Sequence, residues 1–107
     1  MEIRITGRHV QVTNAMKDYV EKKLSHLEKY FNHIIEAHVI MDIEKKNRHR
    51  IEVVLHTNIG KIFGEEETED MYASIDKVLE KMEVQLKRQK EKIQKHKLKK
   101  DIKQAEL

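Results

Sequence analysis

The chain has 107 residues, 38% of them charged and 38% hydrophobic, with 22 Lys and Arg against 19 Asp and Glu for a formal net charge of +3. That length fits one domain with a core large enough to fold unaided, and the absence of cysteine excludes a disulfide scaffold, a thiol nucleophile and any cysteine-based zinc or iron–sulfur site. No apolar stretch reaches membrane-spanning length and no signal-peptide core is visible, so a cytoplasmic location is expected.

Residues 2–6 alternate, with Ile3 and Ile5 on one face and Arg4 and Thr6 on the other. This is the pattern of a half-buried strand, and Gly7 is expected to end it. Thr13 is placed to cap a helix over residues 14–31. Met16, Tyr19, Val20, Leu24, Leu27 and Phe31 recur there at spacings of three and four, forming one buried stripe. From Ile35 the period switches to two: Ile35, Ala37, Val39, Met41 and Ile43 share a face, opposite Glu36, His38, Asp42 and Glu44. After a polar, basic stretch at residues 45–50, a second alternating run sets Ile51, Val53 and Leu55 against Glu52 and His56. A tight turn centred on Asn47 predicts the pairs Ile43–Ile51, Met41–Val53 and Val39–Leu55, and it sets His38 opposite His56. Another turn at residues 58–60 leads to a weaker strand over 61–67, whose scarce apolar residues, Ile62 and Phe63, predict a sheet edge.

Asp70 opens a long helix with Met71, Ile75, Val78, Leu79, Met82, Leu86 and Ile93 along one side and no Gly or Pro to interrupt it. The order strand, helix, three strands, helix predicts an α+β sandwich, β-α-β-β-β-α. Its two helices would pack on one face of a four-stranded, mostly antiparallel sheet.

The charge is unevenly spread. Residues 87–107 carry nine basic and three acidic groups, net +6, whereas the remaining 86 residues are at −3. At roughly 100° per residue, Lys77, Lys81, Arg88, Lys92, Lys95 and Lys99 fall within about 60° of one another on the last helix, and Asp76, Glu80, Glu83 and Glu91 fall on the opposite flank. A continuous basic stripe offers cations to successive phosphates of a nucleic acid. The macrodipole offers another reading, since acids near a helix start (Glu65, Glu66, Glu67, Glu69, Asp70) and bases near its end are stabilising by themselves. Charge alone leaves both open.

Other chemistries find little support. The acidic run at residues 65–70 lacks calcium-loop spacing, and the seven histidines are scattered with no third ligand at diagnostic spacing. Ser25 and Ser74 lie in no nucleophile elbow, and Gly60 and Gly64 form no phosphate loop. Neither an enzyme nor a cofactor or metal is expected. The aromatics Tyr19, Tyr30, Phe31, Phe63 and Tyr72 are mostly expected in the core. That disfavours stacking on unpaired bases and favours backbone recognition of structured RNA.

Several pieces, taken in order, resemble the ribosome hibernation-promoting factor family, also called ribosome-associated inhibitor or sigma-54 modulation protein. They are Ile5-Thr6-Gly7 with Val12-Thr13, Tyr19-Val20-Glu21-Lys22-Lys23-Leu24 and Leu27-Glu28-Lys29-Tyr30-Phe31. The most specific is Asp70-Met71-Tyr72-Ala73-Ser74-Ile75-Asp76, followed by Lys81, Gln85-Leu86, Arg88, Lys90 and Lys92. The likeness spans residues 2–95. It implies a fold similar to a double-stranded-RNA-binding domain and binding to the small ribosomal subunit in the channel used by mRNA and tRNA. It further implies contacts to 16S rRNA near the decoding centre, with ribosomal proteins as further partners. Occupancy of that channel would block translation in stressed or stationary cells, and some members promote pairing of ribosomes into inactive dimers. Lys23, Lys81, Arg88, Lys90 and Lys92 match basic positions of the family. Lys77 and Lys95 from the stripe, and Arg8 from the loop after the first strand, extend the expected rRNA-binding set. Tyr72 and Asp76 are assigned structural roles.

Two features depart from the family pattern. The strand after Gly60 is acidic, which removes any expectation of an RNA contact from it, and no dimerising second domain follows the basic tail. The organisation expected is a ribosome-binding domain over residues 1–95 and a basic tail over 96–107, helical or disordered, in a short-form protein or the N-terminal part of a long one. The rival expectation is a protein-interaction module, such as a sigma-factor regulator. It would work without RNA, through the acidic run or through Ile40 and Val54 on the outer sheet face.

Overall fold

A computed structural model describes the backbone of residues 1–105 and the side chains of residues 1–92. The elements are β1 (Glu2–Arg8), α1 (Asn14–Tyr30), β2 (Ile34–Lys45), β3 (Arg48–Thr57), β4 (Gly60–Thr68) and α2 (Met71–Ala105). The strands lie side by side in the order β1-β2-β3-β4, with β1 parallel to β2 and the other pairs antiparallel. The sheet is therefore mixed, with β4 at one edge as the sparse apolar content of that strand predicts. Both helices cover one face, and their seams close over the inward residues of the strands to form a single core.

Local chemistry fixes the helix starts. Thr13 is extended (φ −78°, ψ 159°) and its side chain accepts from the Met16 amide at 3.1 Å, satisfying one of the free donors of the first turn of α1. Asp70 does the same for α2 through the Ala73 amide at 3.2 Å. Buried Ser74 then donates to the His49 carbonyl at 2.6 Å, tying the first turn of α2 to β3. The stripe of α1 is buried at Val20, Leu24, Leu27 and Phe31, and that of α2 at Met71, Ile75, Val78, Leu79, Met82 and Leu86. Ile93 lies outside the described side chains.

Four expectations need correction. The β2–β3 pairs are Met41–Ile51, Val39–Val53 and Ala37–Leu55, two residues away from the expected register. The turn is a tight one at Lys46–Asn47, preceded by an irregularity between Ile43 and Lys45. A slip of two leaves every side chain on its expected face, but it separates His38, which lies opposite Val54, from His56, which lies opposite Glu36. Ile35 is exposed and Ile34 takes its place in the core, because the register shifts between Ile34 and Glu36 as at a β-bulge. Gly7 does not end β1. It pairs with Met41 inside the strand, and a Cβ there would collide with the Val10 carbonyl where the chain folds back. Finally, Glu65, Glu66 and Glu67 belong to β4 rather than to a helix start, and the first turn of α2 contains no acid.

Candidate nucleic-acid interface

The setting of α2 follows from how it lies on β4. Gly64 is buried on the inward face, and a Cβ built there would sit 2.6 Å from the Met82 sulfur and 3.3 Å from a Val78 methyl. Only a residue without a side chain lets the helix approach this closely. One turn on, Gln85 donates to the Phe63 carbonyl at 3.2 Å and pins the rotation of the helix against the edge strand.

This setting leaves Lys77, Lys81, Arg88 and Lys92 exposed on the flank of α2. Lys81 reaches down to Glu66 of β4 in an ion pair. Lys77, Arg88 and Lys92 have no ion-pair partner among the described residues. From Lys77 to Lys92 the stripe runs for roughly 22 Å at 1.5 Å per residue. Lys77 with Lys81, and Arg88 with Lys92, are like charges one turn apart, an arrangement that disfavours a helix by a few tenths of a kcal/mol per pair. Because α2 continues to Ala105, these bases lie more than three turns from its C-terminus, beyond the last turn in which the macrodipole acts. The dipole reading of the stripe therefore does not apply to them.

The other expected site residues are placed differently. Lys23 on α1 pairs with Asp76 on α2 at 3.1 Å, and Asp76 also accepts from the Tyr19 hydroxyl at 2.6 Å. Tyr72 packs edge-on against Tyr19, with centroids 5.1 Å apart, so Tyr72 and Asp76 do serve to join the helices. The Tyr19 hydrogen bond, helped by Lys23, holds the Asp76 carboxyl below its ordinary range. The bond to Asp76 raises both the Tyr19 phenol and the Lys23 ammonium above theirs. Lys90 donates to the Tyr30 carbonyl at 3.3 Å, beyond the end of α1, where unpaired carbonyls await a cation. Arg8 stands apart from these groups: its guanidinium pairs with Glu52 at 3.2 Å and approaches Asp42 at 3.9 Å, among the outer-face side chains of the sheet. Lys95 lies outside the described side chains.

Sequence reasoning missed the exposure of Tyr30 and a side-chain cluster at the far end of the sheet. Tyr30 is 61% exposed, and with His26, Phe31, Lys87 and Lys90 it lines an open cleft of about 720 Å³ between the end of α1 and α2. The signal was available, because Tyr30 is one residue, or 100°, off the buried stripe that ends at Phe31. At the far end of the sheet, ligand atoms of His9, Asp42 and Glu44 lie within 4.8 Å of one another. There Asp42 is already engaged, by the His9 ring at 3.1 Å and by the Arg8 guanidinium at 3.9 Å.

Against this geometry, the family profile described as Sigma 54 modulation protein / S30EA ribosomal protein matches residues 3–94. The chain belongs to this family. It is similar to the ribosome hibernation promoting factor of Azotobacter vinelandii, with 42% identity over 92 residues, 86% of this chain and 85% of that one. The ribosome hibernation promoting factor of Escherichia coli K12 is 38% identical over 96 residues, covering 90% of this chain and 100% of that one. Among solved structures, a ribosomal subunit interface protein from Coxiella burnetii superposes with a TM-score of 0.78 at 29% identity, covering 84% of this chain and 98% of that one. The N-terminal domain of Thermus thermophilus Protein Y gives 0.75 at 36% identity, with 82% and 98% coverage. The segment shared with the sigma-54 modulation family takes in α1, α2 as far as residue 94 and every stripe cation through Lys92, and it ends one residue before Lys95.

Proposed function

We propose that this chain is a ribosome hibernation factor of the cytoplasm. It binds the small ribosomal subunit and occupies the mRNA and tRNA channel near the decoding centre, blocking translation under stress or in stationary phase. The names of its relatives support the ribosome as partner. The observation that carries the mode of binding is the row of cations on α2 that have no carboxylate partner among the described residues, Lys77, Arg88 and Lys92, with like-charge neighbours and out of reach of the helix dipole. Such a row engages 16S rRNA phosphates, and release of their counterions supplies most of the affinity. Lys81 belongs to the row, Lys23 and Lys90 stand on the side of α2 that faces α1, and all three can exchange their internal partners for phosphate. Arg8 contributes only if the sheet end also touches RNA. The role is one of occupancy, with no chemical step.

The test is co-sedimentation with 30S, 50S and 70S particles on sucrose gradients. The protein is expected to follow 30S and 70S and to be released by rising salt, whereas Lys81→Glu/Arg88→Glu/Lys92→Glu is expected to remain at the top. Unchanged sedimentation of that triple variant would remove the proposed site. A 100S peak in the same gradient would report ribosome pairing.

A further inference from the structure

The cleft between the end of α1 and α2 has a composition that backbone recognition does not need. Tyr30 stands at its wall with its ring largely in water. His26, one turn earlier on α1, packs against that ring with centroids 5.3 Å apart and planes 68° from parallel. Lys87 and Lys90, one turn apart on α2, bring two ammonium groups to the same cleft, and Glu83 and Glu91 bring two carboxylates. Lys90 is steadied by the Tyr30 carbonyl at 3.3 Å and lies 5.8 Å from the centre of the Phe31 ring. An ammonium has three donors, so that contact leaves others for an anion.

An exposed aromatic ring alone needs no explanation. Here it is combined with cations and with acceptor-only groups in one concavity, on the α1-facing side of the helix whose other flank carries the basic stripe. A phosphate-binding surface has no use for Glu83 and Glu91, which repel the backbone. An apolar peptide would meet four charged side chains. A nucleotide uses all three kinds of group: the base stacks on the ring, the phosphate meets the lysines, and a carboxylate accepts from N–H groups on the base edge. Guanine presents two adjacent donors there, N1–H and the exocyclic amine, matching a carboxylate's two oxygens, whereas uracil presents a single N–H.

We propose that this cleft is a stacking subsite for one unpaired nucleobase of the bound RNA, guanine in preference to uracil. Tyr30 is its platform, Lys87 and Lys90 hold the flanking phosphate, and Glu83 or Glu91 reads the base edge. The proposal rests on the RNA-binding reading above, and it gives that reading a base-dependent component.

The experiment measures 30S affinity of the full chain across a salt series, together with binding of a uridine heptamer and of the same heptamer with one central guanosine. Removing one stacked base corresponds to a loss of about 5- to 100-fold. Tyr30→Ala is therefore expected to weaken 30S binding by that factor with the salt slope unchanged, while Tyr30→Phe stays within about twofold. The wild type should prefer the guanosine heptamer, and Glu83→Gln/Glu91→Gln should erase the preference. Thermal melts of each variant confirm the fold. Wild-type affinity of Tyr30→Ala for 30S, a loss that comes with a shallower salt slope, or equal or absent binding of the two heptamers would overturn the subsite while leaving the phosphate interface standing. Failure of the wild type to bind 30S at all would overturn both.

Discussion

The outer face of the sheet and the flank of α2 both display strongly basic residues, yet they present different fields to a partner. On the sheet three of the four arginines have a carboxylate beside them: Arg4 with Glu36 at 2.9 Å, Arg8 with Glu52 at 3.2 Å, and Arg50 with Glu52 at 3.0 Å and with Glu65, whereas Arg48, next to the β2–β3 turn, has no ion-pair partner among the described residues. Glu36, Glu52 and Glu65 stand among these arginines on adjacent strands, so the middle of the face is largely compensated from within. Along α2, Lys77, Arg88 and Lys92 have no such neighbour among the described residues. Exposed ion pairs add little stability, but they do discharge a surface. What attracts a polyanion is the cation left unpaired, and neither the count of basic residues nor the net charge of +3 reveals which those are.

The sharpest way to break this contrast is to reverse charge on each surface separately. Lys77→Glu/Arg88→Glu/Lys92→Glu should lower 30S affinity by about a hundredfold or more at low salt and flatten the salt dependence. Arg4→Glu/Arg50→Glu should change affinity by less than about twofold. Equal losses on the two surfaces would show that net charge, not pairing, decides.

A smaller effect is expected from the residue that sets the height of the flank. Gly64→Val forces a branched side chain against Met82 and Val78, and overpacking of this kind destabilises by about 2 kcal/mol. Urea unfolding would measure it.

The smallest concerns the clasp between the helices. Asp76→Asn should destabilise by about 1 kcal/mol or less near neutral pH, since the group is partly exposed. Its pH signature is specific. The Asp76 carboxyl is depressed, so its contribution is present above about 3.8 and lost as pH falls through the folded value. Tyr19 and Lys23 are raised, so their contributions are present below about 10 and lost as pH climbs through their folded values. The gap between wild type and Asp76→Asn in a melt series should therefore be flat through neutrality and narrow at both ends. A gap constant down to pH 2 would remove the clasp from the account.

Much of the fold was legible because periodicity reports burial directly. The faces of β2 and β3 were read correctly even though the register was not, since moving the pairing by two residues exchanges one apolar partner for another. At Ile34 and Ile35 two adjacent isoleucines carry no sign of which faces inward, and a bulge makes the choice. The basic stripe was equally visible from spacing. Its division into paired and unpaired members was not, because the partner is remote in sequence: Lys81 meets Glu66 only once helix and edge strand are assembled, just as Lys23 of α1 meets Asp76 only once the two helices are. Phe31, not Tyr30, completes the apolar stripe, and attention to that one-residue offset would have put Tyr30 outside the core.

The parallel pairing of β1 with β2 has a kinetic consequence. β2, β3 and β4 are joined by two-residue turns, so their ladders close with little loss of chain entropy, whereas Ile3 must find Ala37 across all of α1. Contacts of long sequence separation form late. The meander beneath α2 is thus expected to assemble first, with β1 the strand that closes the sheet last. Pulse-labelled hydrogen exchange during refolding should show β3 amides protected before those of β1; simultaneous protection would mean that α1 docks early enough to deliver the strand. The flank proposed to meet the polyanion would then be in place, on its own edge strand, before the N-terminus of the protein has found its position.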